Sequence, residues 1–352
     1  MRPQISVCVP AYERPAMLVE LITSFAAQRG VEAELVITDD SRSEAVQTAV
    51  TPWVMVRSDV IYSRNARNLG FAANLRRALE LAHGEFVLIM GDDDVFARSD
   101  ALKTYADAFE CFPGAAVAYS NLLQVDHATR LTYSYQSFPA TRFMAAGPQA
   151  IAGLWLSSIL ITGLAFHRSG LLATYPERSM LFPQVAAAGH LLIKHGGVGI
   201  GEFLCATRAH AGQLGFQHLT GAERRPGERH GVEEVLALFD DLEAVAPTLG
   251  DSRCLIEAEL TKQYIRNMPN ERLLAGRGAL NGNFFHLMRN RRSARGQPLP
   301  WVVWAVSITL PPVVLRVAKN SVRYVVAYWR LMRVGKHPGD LVDVRHLPPP
   351  AP

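Results

Sequence analysis

The sequence Glu85-Phe86-Val87-Leu88-Ile89-Met90-Gly91-Asp92-Asp93-Asp94 places an apolar run directly before three adjacent carboxylates. An uninterrupted apolar run of this length is typical of a strand buried on both faces. Adjacent carboxylates repel one another unless a cation lies near them, and hard oxygen ligands suit magnesium or manganese. Because ligands of open α/β sheets bind beyond the carboxyl ends of the strands, the stretch predicts a metal-diphosphate site. The alternative is a polar turn in which one Asp caps the next helix.

The bulk composition indicates a globular chain. Its 352 residues are 49% apolar, enough for one large core or two modest ones. The four cysteines are scattered without metal-ligand spacing, which favours free thiols in a reducing compartment. We expect no signal peptide, because Met1-Arg2-Pro3-Gln4 leads directly into an apolar strand.

Short apolar runs alternate with amphipathic stretches along the first 215 residues. This alternation predicts an α/β fold, a mostly parallel sheet flanked by helices, over residues 1–215. We expect a helical extension over 216–297, a basic apolar segment over 298–337 and a Pro-rich tail over 338–352. The predicted strands are residues 5–9, 34–38, 53–56, 60–62, 85–90, 115–125, 131–135, 159–166 and 198–208, and the predicted helices are 15–28, 71–83, 99–112, 147–156 and 180–195.

Polar residues follow four of these predicted elements. In a mostly parallel sheet such ends lie along one edge, where an aromatic ring, carboxylates and amides could hold a base, a ribose and a metal-bound diphosphate. The four stretches are Pro10-Ala11-Tyr12-Glu13-Arg14, Asp39-Asp40-Ser41, residues 64–74 and Gly91-Asp92-Asp93-Asp94.

The order and spacing of these four motifs resemble the family 2 glycosyltransferases with the GT-A fold. Members open with a strand ending in Pro-x-Tyr-Asn or a variant, then show Asp-Asp-x-Ser, Asn-x-Gly and an Asp-rich strand end. The resemblance is close over residues 4–130 and looser to about 208. This sequence departs at Gly91, where many members have the first Asp of Asp-x-Asp, which leaves two registers open for the acidic motif.

The resemblance implies roles for single residues. Tyr12, with the backbone near Pro10 and Ala11, would contact the nucleotide base, and Asp39 or Asp40 would accept its imide N–H. Asp92 would meet the ribose or diphosphate. Asp93 and Asp94 would ligate Mn²⁺ or Mg²⁺, which neutralises the leaving diphosphate. The remaining implied donor-site residues are Glu13, Asn68, Gly70 and Asn74.

Inversion at the anomeric carbon requires a carboxylate that takes the proton of the acceptor hydroxyl. Family members usually carry it some 80 to 100 residues after the metal motif. Glu177 is the only carboxylate between Asp126 and Glu202, so it is the candidate by elimination, with a solvated helix-start residue as the alternative. His190 and His195 are further candidates. Arg208-Ala209-His210 is either a phosphate contact or a polar loop.

The C-terminal segment differs in charge from the rest of the chain. Residues 272–339 contain twelve Lys or Arg and no acidic residue, whereas the remainder carries 24 basic and 32 acidic residues. Residues 299–315 have no charge, but this length is marginal for a bilayer span, and Pro311-Pro312 would kink a helix. Apolar residues interleaved with cations favour monotopic attachment to an anionic membrane surface, each cation contributing about 1 kcal/mol. The alternative is a helix packed on the catalytic domain.

The resemblance implies an inverting, metal-dependent sugar transfer from a nucleotide-sugar to a hydroxyl, and together with the basic apolar C-terminal segment it implies a glycolipid or polysaccharide acceptor. The protein would act at the cytoplasmic face of the plasma membrane, and we expect no nucleic-acid partner, since no recognised module accompanies the basic charge. One alternative is a catalytically inactive donor-binding or scaffolding subunit of a glycan-assembly complex. Another is a phosphoryl-transfer domain using Asp39 or Asp92, for which the sequence offers no obvious Lys or Thr partner.

Overall fold

The computed structural model describes residues 3–126, 132–134, 138–177, 182–209 and 298–318, together with parts of 261–290. The strands are β1 (Ile5–Ala11), β2 (Ala33–Asp39), β3 (Val60–Arg64), β4 (Phe86–Ile89), β5 (Val95–Phe96), β6 (Val117–Asp126), β7 (Thr132–Ser134), β8 (Arg142–Met144), β9 (Leu164–His167) and β10 (Gly197–Ala209). The longer helices are α1 (Pro15–Ala26), α2 (Ala45–Val56), α3 (Phe71–Leu81), α4 (Ala101–Cys111), α5 (Pro148–Leu154), α6 (Arg168–Thr174), α7 (Pro183–His195), α8 (Gly276–Asn290) and α9 (Pro298–Thr309), with a 3-10 helix at Trp155–Ile159.

One mixed sheet organises the N-terminal part of the chain. Its order is β3-β2-β1-β4-β9-β6-β10-β5, with β7 beside β6 and β8 beside β10. The first four strands in this order are parallel, and β9 runs antiparallel to both β4 and β6. The carboxyl ends of β1, β2, β3, β4, β6 and β10 therefore share one edge of the sheet, which confirms the predicted α/β class.

Buried apolar residues explain the central strands and the helices that cover them. Every side chain of β4 is buried, as expected for a strand with helices on both faces. Helix α1 begins with Pro15 in its first turn and buries Leu18, Leu21, Ile22 and Phe25, a spacing that puts all four on one face. The register Ile5↔Phe86 to Cys8↔Ile89 carries Gly91 and the carboxylates beyond the sheet edge.

The prediction of a strand at residues 53–56 is wrong. These residues form the last turn of α2. The apolar run does not enter the core, because Met55 and Val56 are 80% and 78% exposed. The predicted strand at 159–166 is partly wrong, since a 3-10 helix ends at Ile159 and β9 begins only at Leu164.

Helices α8 and α9 form a second, smaller apolar cluster. Phe284 stacks on Trp304 with ring centroids 5.1 Å apart, and Trp304 Nε1 donates a hydrogen bond of 3.0 Å to Asn281. Within the described residues no helix is long and apolar enough to cross a membrane. The predicted domain boundary at 215, most of the extension over 216–297 and the tail over 338–352 lie outside the described residues.

Candidate functional site

The loop after β1 is tied to the end of β4. The backbone N–H of Tyr12 donates a hydrogen bond of 2.8 Å to Asp92 Oδ2, and Arg14 Nη1 lies 2.5 Å from Asp92 Oδ1. Arg14 Nη1 is also 3.5 Å from Asp93 Oδ2. Burial raises the pKa of Asp92 to about 6, an effect that the Arg14 charge opposes and the Asp93 charge reinforces. The structure thus brings the first and fourth sequence motifs together.

Asp94 points toward the protein interior. Its Oδ2 accepts a hydrogen bond from the Thr162 hydroxyl, and its Oδ1 accepts one of 3.1 Å from the Arg208 backbone N–H. Burial, and then the charge of Asp93, hold the pKa of Asp94 well above its usual range. Both oxygens of Asp94 are therefore used in holding β4, β9 and β10 together, and its role as a metal ligand stays a prediction.

Gly91 leaves room for the carboxylates that follow it. A Cβ at this position would lie 2.8 Å from Asp94 Oδ2 and 2.9 Å from Asp93 Oδ1. Its backbone N–H donates a 3.1 Å hydrogen bond to Thr162 Oγ1. The glycine at this departure from the family pattern is thus required by the close approach of its neighbours.

Asp40 clamps the loop that precedes α3. Its two carboxylate oxygens accept hydrogen bonds from Asn65 Nδ2 and from the backbone N–H groups of Leu69 and Gly70, at 2.7 to 3.0 Å. Asn68 caps the same turn, since its Oδ1 accepts a 3.0 Å hydrogen bond from Gly70. The second and third sequence motifs are therefore joined through one buried carboxylate.

Asp39 and Asn74 are buried beneath this loop. Asp39 accepts hydrogen bonds from the Tyr62 hydroxyl at 2.6 Å and from the Ser41 backbone at 2.9 Å. Asn74 donates to the carbonyls of Ala11 and Thr38, at 3.3 and 3.1 Å, and so links the ends of β1 and β2. These contacts fix the sheet edge, and a direct contact of either side chain with a donor stays a prediction.

A cleft of about 500 Å³ opens at this edge. Its walls come from the β2–α2 loop and from the segment that follows β3. Three arginines make the cleft basic, and a nucleotide phosphate or ribose is the kind of ligand that such a cleft suits. The lining residues are Asp40, Ser41, Arg42, Arg64, Asn65, Ala66, Arg67 and Asn68.

The candidate bases lie in different surroundings. Glu177 is exposed and follows α6, two residues after Tyr175, whose hydroxyl donates a 2.7 Å hydrogen bond to the Ala72 carbonyl near the start of α3. His190 is partly buried within α7. His195 ends α7 where β10 begins, at the opposite edge of the sheet from the carboxylates. The Arg208 side chain forms a buried ion pair with Glu20 of α1, which favours a structural role for this residue.

The family model described as Glycosyl transferase family 2 matches residues 6–156. This part of the chain belongs to glycosyl transferase family 2. The matched residues include all four motifs and the loop contacts among them. The family 2 domain also has the GT-A fold expected from the resemblance, as the solved structures below show.

Several curated proteins resemble this family 2 domain. Abequosyltransferase RfbV of Salmonella typhimurium is 32% identical over 109 residues, which are 30% of this chain and 33% of the relative. A GalNAc(5)-diNAcBac-PP-undecaprenol beta-1,3-glucosyltransferase of Campylobacter jejuni is 31% identical over 103 residues, 29% of this chain and 33% of the relative. The similarity thus spans about a third of the length of these relatives.

Solved structures match more of the chain at lower identity. S. aureus TarS 1-349 in complex with UDP-GlcNAc has a TM-score of 0.63 at 17% identity, covering 91% of this chain and 92% of that one. A mannosyltransferase, PcManGT from Pyrobaculum calidifontis, in complex with GDP-Man and Mn²⁺, has a TM-score of 0.51 at 15% identity and covers 95% and 86%. These likenesses establish the fold.

The carboxylate oxygens of Asp92 and Asp93 are suitable ligands for a divalent cation. The Arg14 guanidinium already places a positive charge beside both of them, where a metal would be held. Among the described residues no group of three His, Cys, Asp or Glu is arranged for a metal. Sequence reasoning missed the contacts of Arg14 and Thr162, because their partners lie 78 and 68 residues away.

Proposed function

We propose that the protein transfers a sugar from a nucleoside diphosphate sugar to a hydroxyl group. One observation carries this proposal, the junction of four polar motifs at the carboxyl edge of the sheet. Asp92 binds the Tyr12 backbone and Asp40 binds the Asn65–Gly70 loop, so the loop after β1 and the cleft wall that follows β3 are both preorganised. Preorganised polar groups favour a ligand because little ordering remains to be done on binding.

The donor would lie along this edge. In this proposal Tyr12 and the backbone of Pro10 and Ala11 face the base, Asp39 or Asp40 accepts its imide N–H, and Asp92 meets the ribose or diphosphate. The partial exposure of Tyr12 next to the buried Asp92 supports this order. Glu13 contributes by holding the β2–α2 loop, since its Oε1 accepts a 2.7 Å hydrogen bond from the Arg42 backbone.

Asp93 would hold Mg²⁺ or Mn²⁺, with Asp92 beside it. When bound, such an ion neutralises the charge that develops on the leaving diphosphate. Asp93 is the better placed of the predicted ligands, because Asp94 already accepts hydrogen bonds at both oxygens. The presence of Mn²⁺ and GDP-Man in a neighbour of the same fold supports a divalent cation at this turn.

The acceptor hydroxyl would lose its proton to Glu177, with inversion at the anomeric carbon. Exposure of Glu177 keeps its carboxylate available to a large acceptor. The Tyr175 hydroxyl anchors this segment to the start of α3, which packs behind the donor cleft. A carboxylate general base typically contributes 10²- to 10⁴-fold to the rate.

A lipid-linked glycan or a growing polysaccharide is the proposed acceptor. The name of the Campylobacter jejuni relative, which includes an undecaprenol-linked sugar, supports a lipid-linked one. The C-terminal segment would hold the protein at the cytoplasmic face of the membrane in a peripheral or monotopic way. Exposed apolar side chains on α9, including Val302 at 55% and Leu299 at 56%, together with the basic charge around it, suit an anionic lipid surface.

The test is a transfer assay with the full chain, Mn²⁺, a panel of nucleotide-sugars and lipid-linked acceptors. We expect one donor to give product, with an anomeric configuration by NMR opposite to that of the donor. Bound nucleotide without turnover on any acceptor would favour the donor-binding or scaffolding subunit. A product with retained configuration would contradict the inverting mechanism.

A further inference from the structure

Arg14 lies against the carboxylates as a permanent counter-charge. Its Nη1 is 2.5 Å from Asp92 Oδ1 and 3.5 Å from Asp93 Oδ2, with 18% of its side chain exposed. The two carboxylates are almost completely buried, at 3% and 7% exposure. Arg14 therefore forms ion pairs with both carboxylates.

The backbone on either side of Arg14 is held in place. The N–H of Tyr12 is bound to Asp92, and the Arg14 carbonyl accepts a 3.1 Å hydrogen bond from Leu18 in the first turn of α1. Glu13 adopts the left-handed conformation with φ of +56°, and its N–H donates a 2.8 Å hydrogen bond to Ser41 Oγ. A non-glycine residue in this conformation costs about 1 kcal/mol or more, so the surrounding contacts enforce it. These contacts fix the backbone at Arg14, so any displacement of the guanidinium from the carboxylates falls on the side-chain torsions.

We infer that Arg14 competes with the divalent cation for Asp92 and Asp93, and that this competition couples metal binding to diphosphate binding. The inference rests on the proposed donor and metal site. A metal that binds without a diphosphate must first displace the Arg14 guanidinium, and this cost lowers the apparent affinity of the site for the metal. A diphosphate offers the displaced guanidinium a new anionic partner, for which its planar fork is well suited.

The binding of either ligand therefore lowers the free-energy cost of displacing Arg14 for the other ligand. The diphosphate strengthens metal binding, and the metal strengthens diphosphate binding by the same factor, because coupling free energies are reciprocal. Without Arg14 the metal would meet two carboxylates from which this guanidinium charge has been removed. It would bind more tightly alone and gain less from the diphosphate.

The test measures the Mn²⁺ affinity of the full chain by electron paramagnetic resonance, which detects the free ion. Each titration is made with and without UDP or GDP. A titration of the nucleotide without protein serves as the blank. The variants are Arg14→Gln, the charge-conserving Arg14→Lys, and Arg57→Gln as control. Arg57 pairs with Asp59 just before β3, at the opposite sheet edge, so its substitution removes the same charge away from the site.

We expect Arg14→Gln to bind Mn²⁺ alone at least fivefold more tightly than wild type, and to gain at least fivefold less from the nucleotide. Arg14→Lys, which keeps the positive charge, should bind Mn²⁺ alone within twofold of wild type, and Arg57→Gln should stay within twofold of wild type in both measurements. An unchanged or weaker Mn²⁺ affinity of Arg14→Gln overturns the inference while leaving the proposed function intact. A wild-type chain that binds no Mn²⁺ with either nucleotide overturns both.

A second measurement needs no substitution. Phenylglyoxal modifies accessible arginines, and mass spectrometry can follow Arg14 and Arg57 in the same wild-type sample. We expect Mg²⁺ alone to raise the modification rate of Arg14 at least threefold, and added UDP or GDP to lower it again, with Arg57 unaffected. An Arg14 modification rate that Mg²⁺ does not change overturns the inference even if Arg14→Gln does not fold.

Discussion

The backbone amide of Tyr12 binds the Asp92 carboxylate at 2.8 Å across 80 residues of sequence. This hydrogen bond joins the loop after β1 to the acidic end of β4. It brings the loop that carries Tyr12, the residue proposed for the base, against the carboxylates proposed for the diphosphate. A charged acceptor makes such a bond stronger than a neutral one, so the junction is well suited to hold the site in shape.

Asp40→Asn is expected to destabilise the fold near the donor cleft. The carboxylate accepts from Asn65, Leu69 and Gly70, and an amide cannot accept at both of its heavy atoms. Loss of one such bond should lower the free energy of unfolding by about 2 kcal/mol in urea denaturation. Asp59→Asn, which alters an ion pair at the opposite edge, should cost less than about 1 kcal/mol. Equal losses in the two variants would contradict the clamp.

Gly91→Ala tests the close approach of the carboxylates. The new methyl group would meet Asp93 and Asp94 at under 3 Å, so the acidic turn must shift. We expect a loss of about 1 to 3 kcal/mol in stability and a weakened response to Mn²⁺. The control is Gly114→Ala, where a Cβ would make an ordinary 3.6 Å contact with Phe143. A Gly91→Ala protein that responds to Mn²⁺ like wild type would argue against the turn as the metal site.

Glu177→Gln should separate chemistry from donor binding. If Glu177 is the base, kcat falls by about 10²- to 10⁴-fold while the nucleotide affinity stays unchanged. The control Glu80→Gln alters an exposed carboxylate of α3 that pairs with Arg76 and should leave both quantities unchanged. Full turnover in Glu177→Gln would assign the base to another residue.

The membrane proposal predicts a loss of lipid binding on changes that leave the core intact. Val302 and Val306 are 55% and 44% exposed on α9. Their joint replacement by Ser should reduce co-sedimentation with vesicles containing phosphatidylglycerol. The same replacement at Met55 and Val56, exposed apolar residues of α2, serves as control and should have no effect. Equal vesicle binding by the wild type and both variants, or binding that does not depend on phosphatidylglycerol, would refute the attachment site.

The sequence predicted the strand ends better than the contacts made there. The apolar run 86–90 and its carboxylates were recognisable, because burial on both faces leaves a strong pattern. The exposed end of α2 was mistaken for a strand, since an apolar run alone does not reveal whether it is buried. The hydrogen bond of Asp94 with Thr162 depends on a residue 68 positions later in the chain, just before β9, and no local pattern encodes it.

The same limit applies to the predicted donor contacts. Asp40 and Asn74 were predicted to contact the nucleotide from their motifs. The structure adds that Asp40 binds the backbone of the loop before α3 and that Asn74 binds the ends of β1 and β2. The contact of either side chain with a nucleotide stays a prediction, because a motif does not show which hydrogen bonds its residues make within the fold.

Thermal unfolding of wild type and Asp93→Asn, with Mn²⁺ and UDP, GDP, dTDP or CMP, tests whether the acidic turn is a metal-nucleotide site. Asp107→Asn, an exposed change on α4, is the control. We predict that one nucleotide with Mn²⁺ raises Tm in wild type and Asp107→Asn but not in Asp93→Asn, since a ligand that binds only the folded state stabilises it. Folded wild-type protein whose Tm is unchanged by every nucleotide, or an Asp93→Asn protein that responds like wild type, would contradict this site.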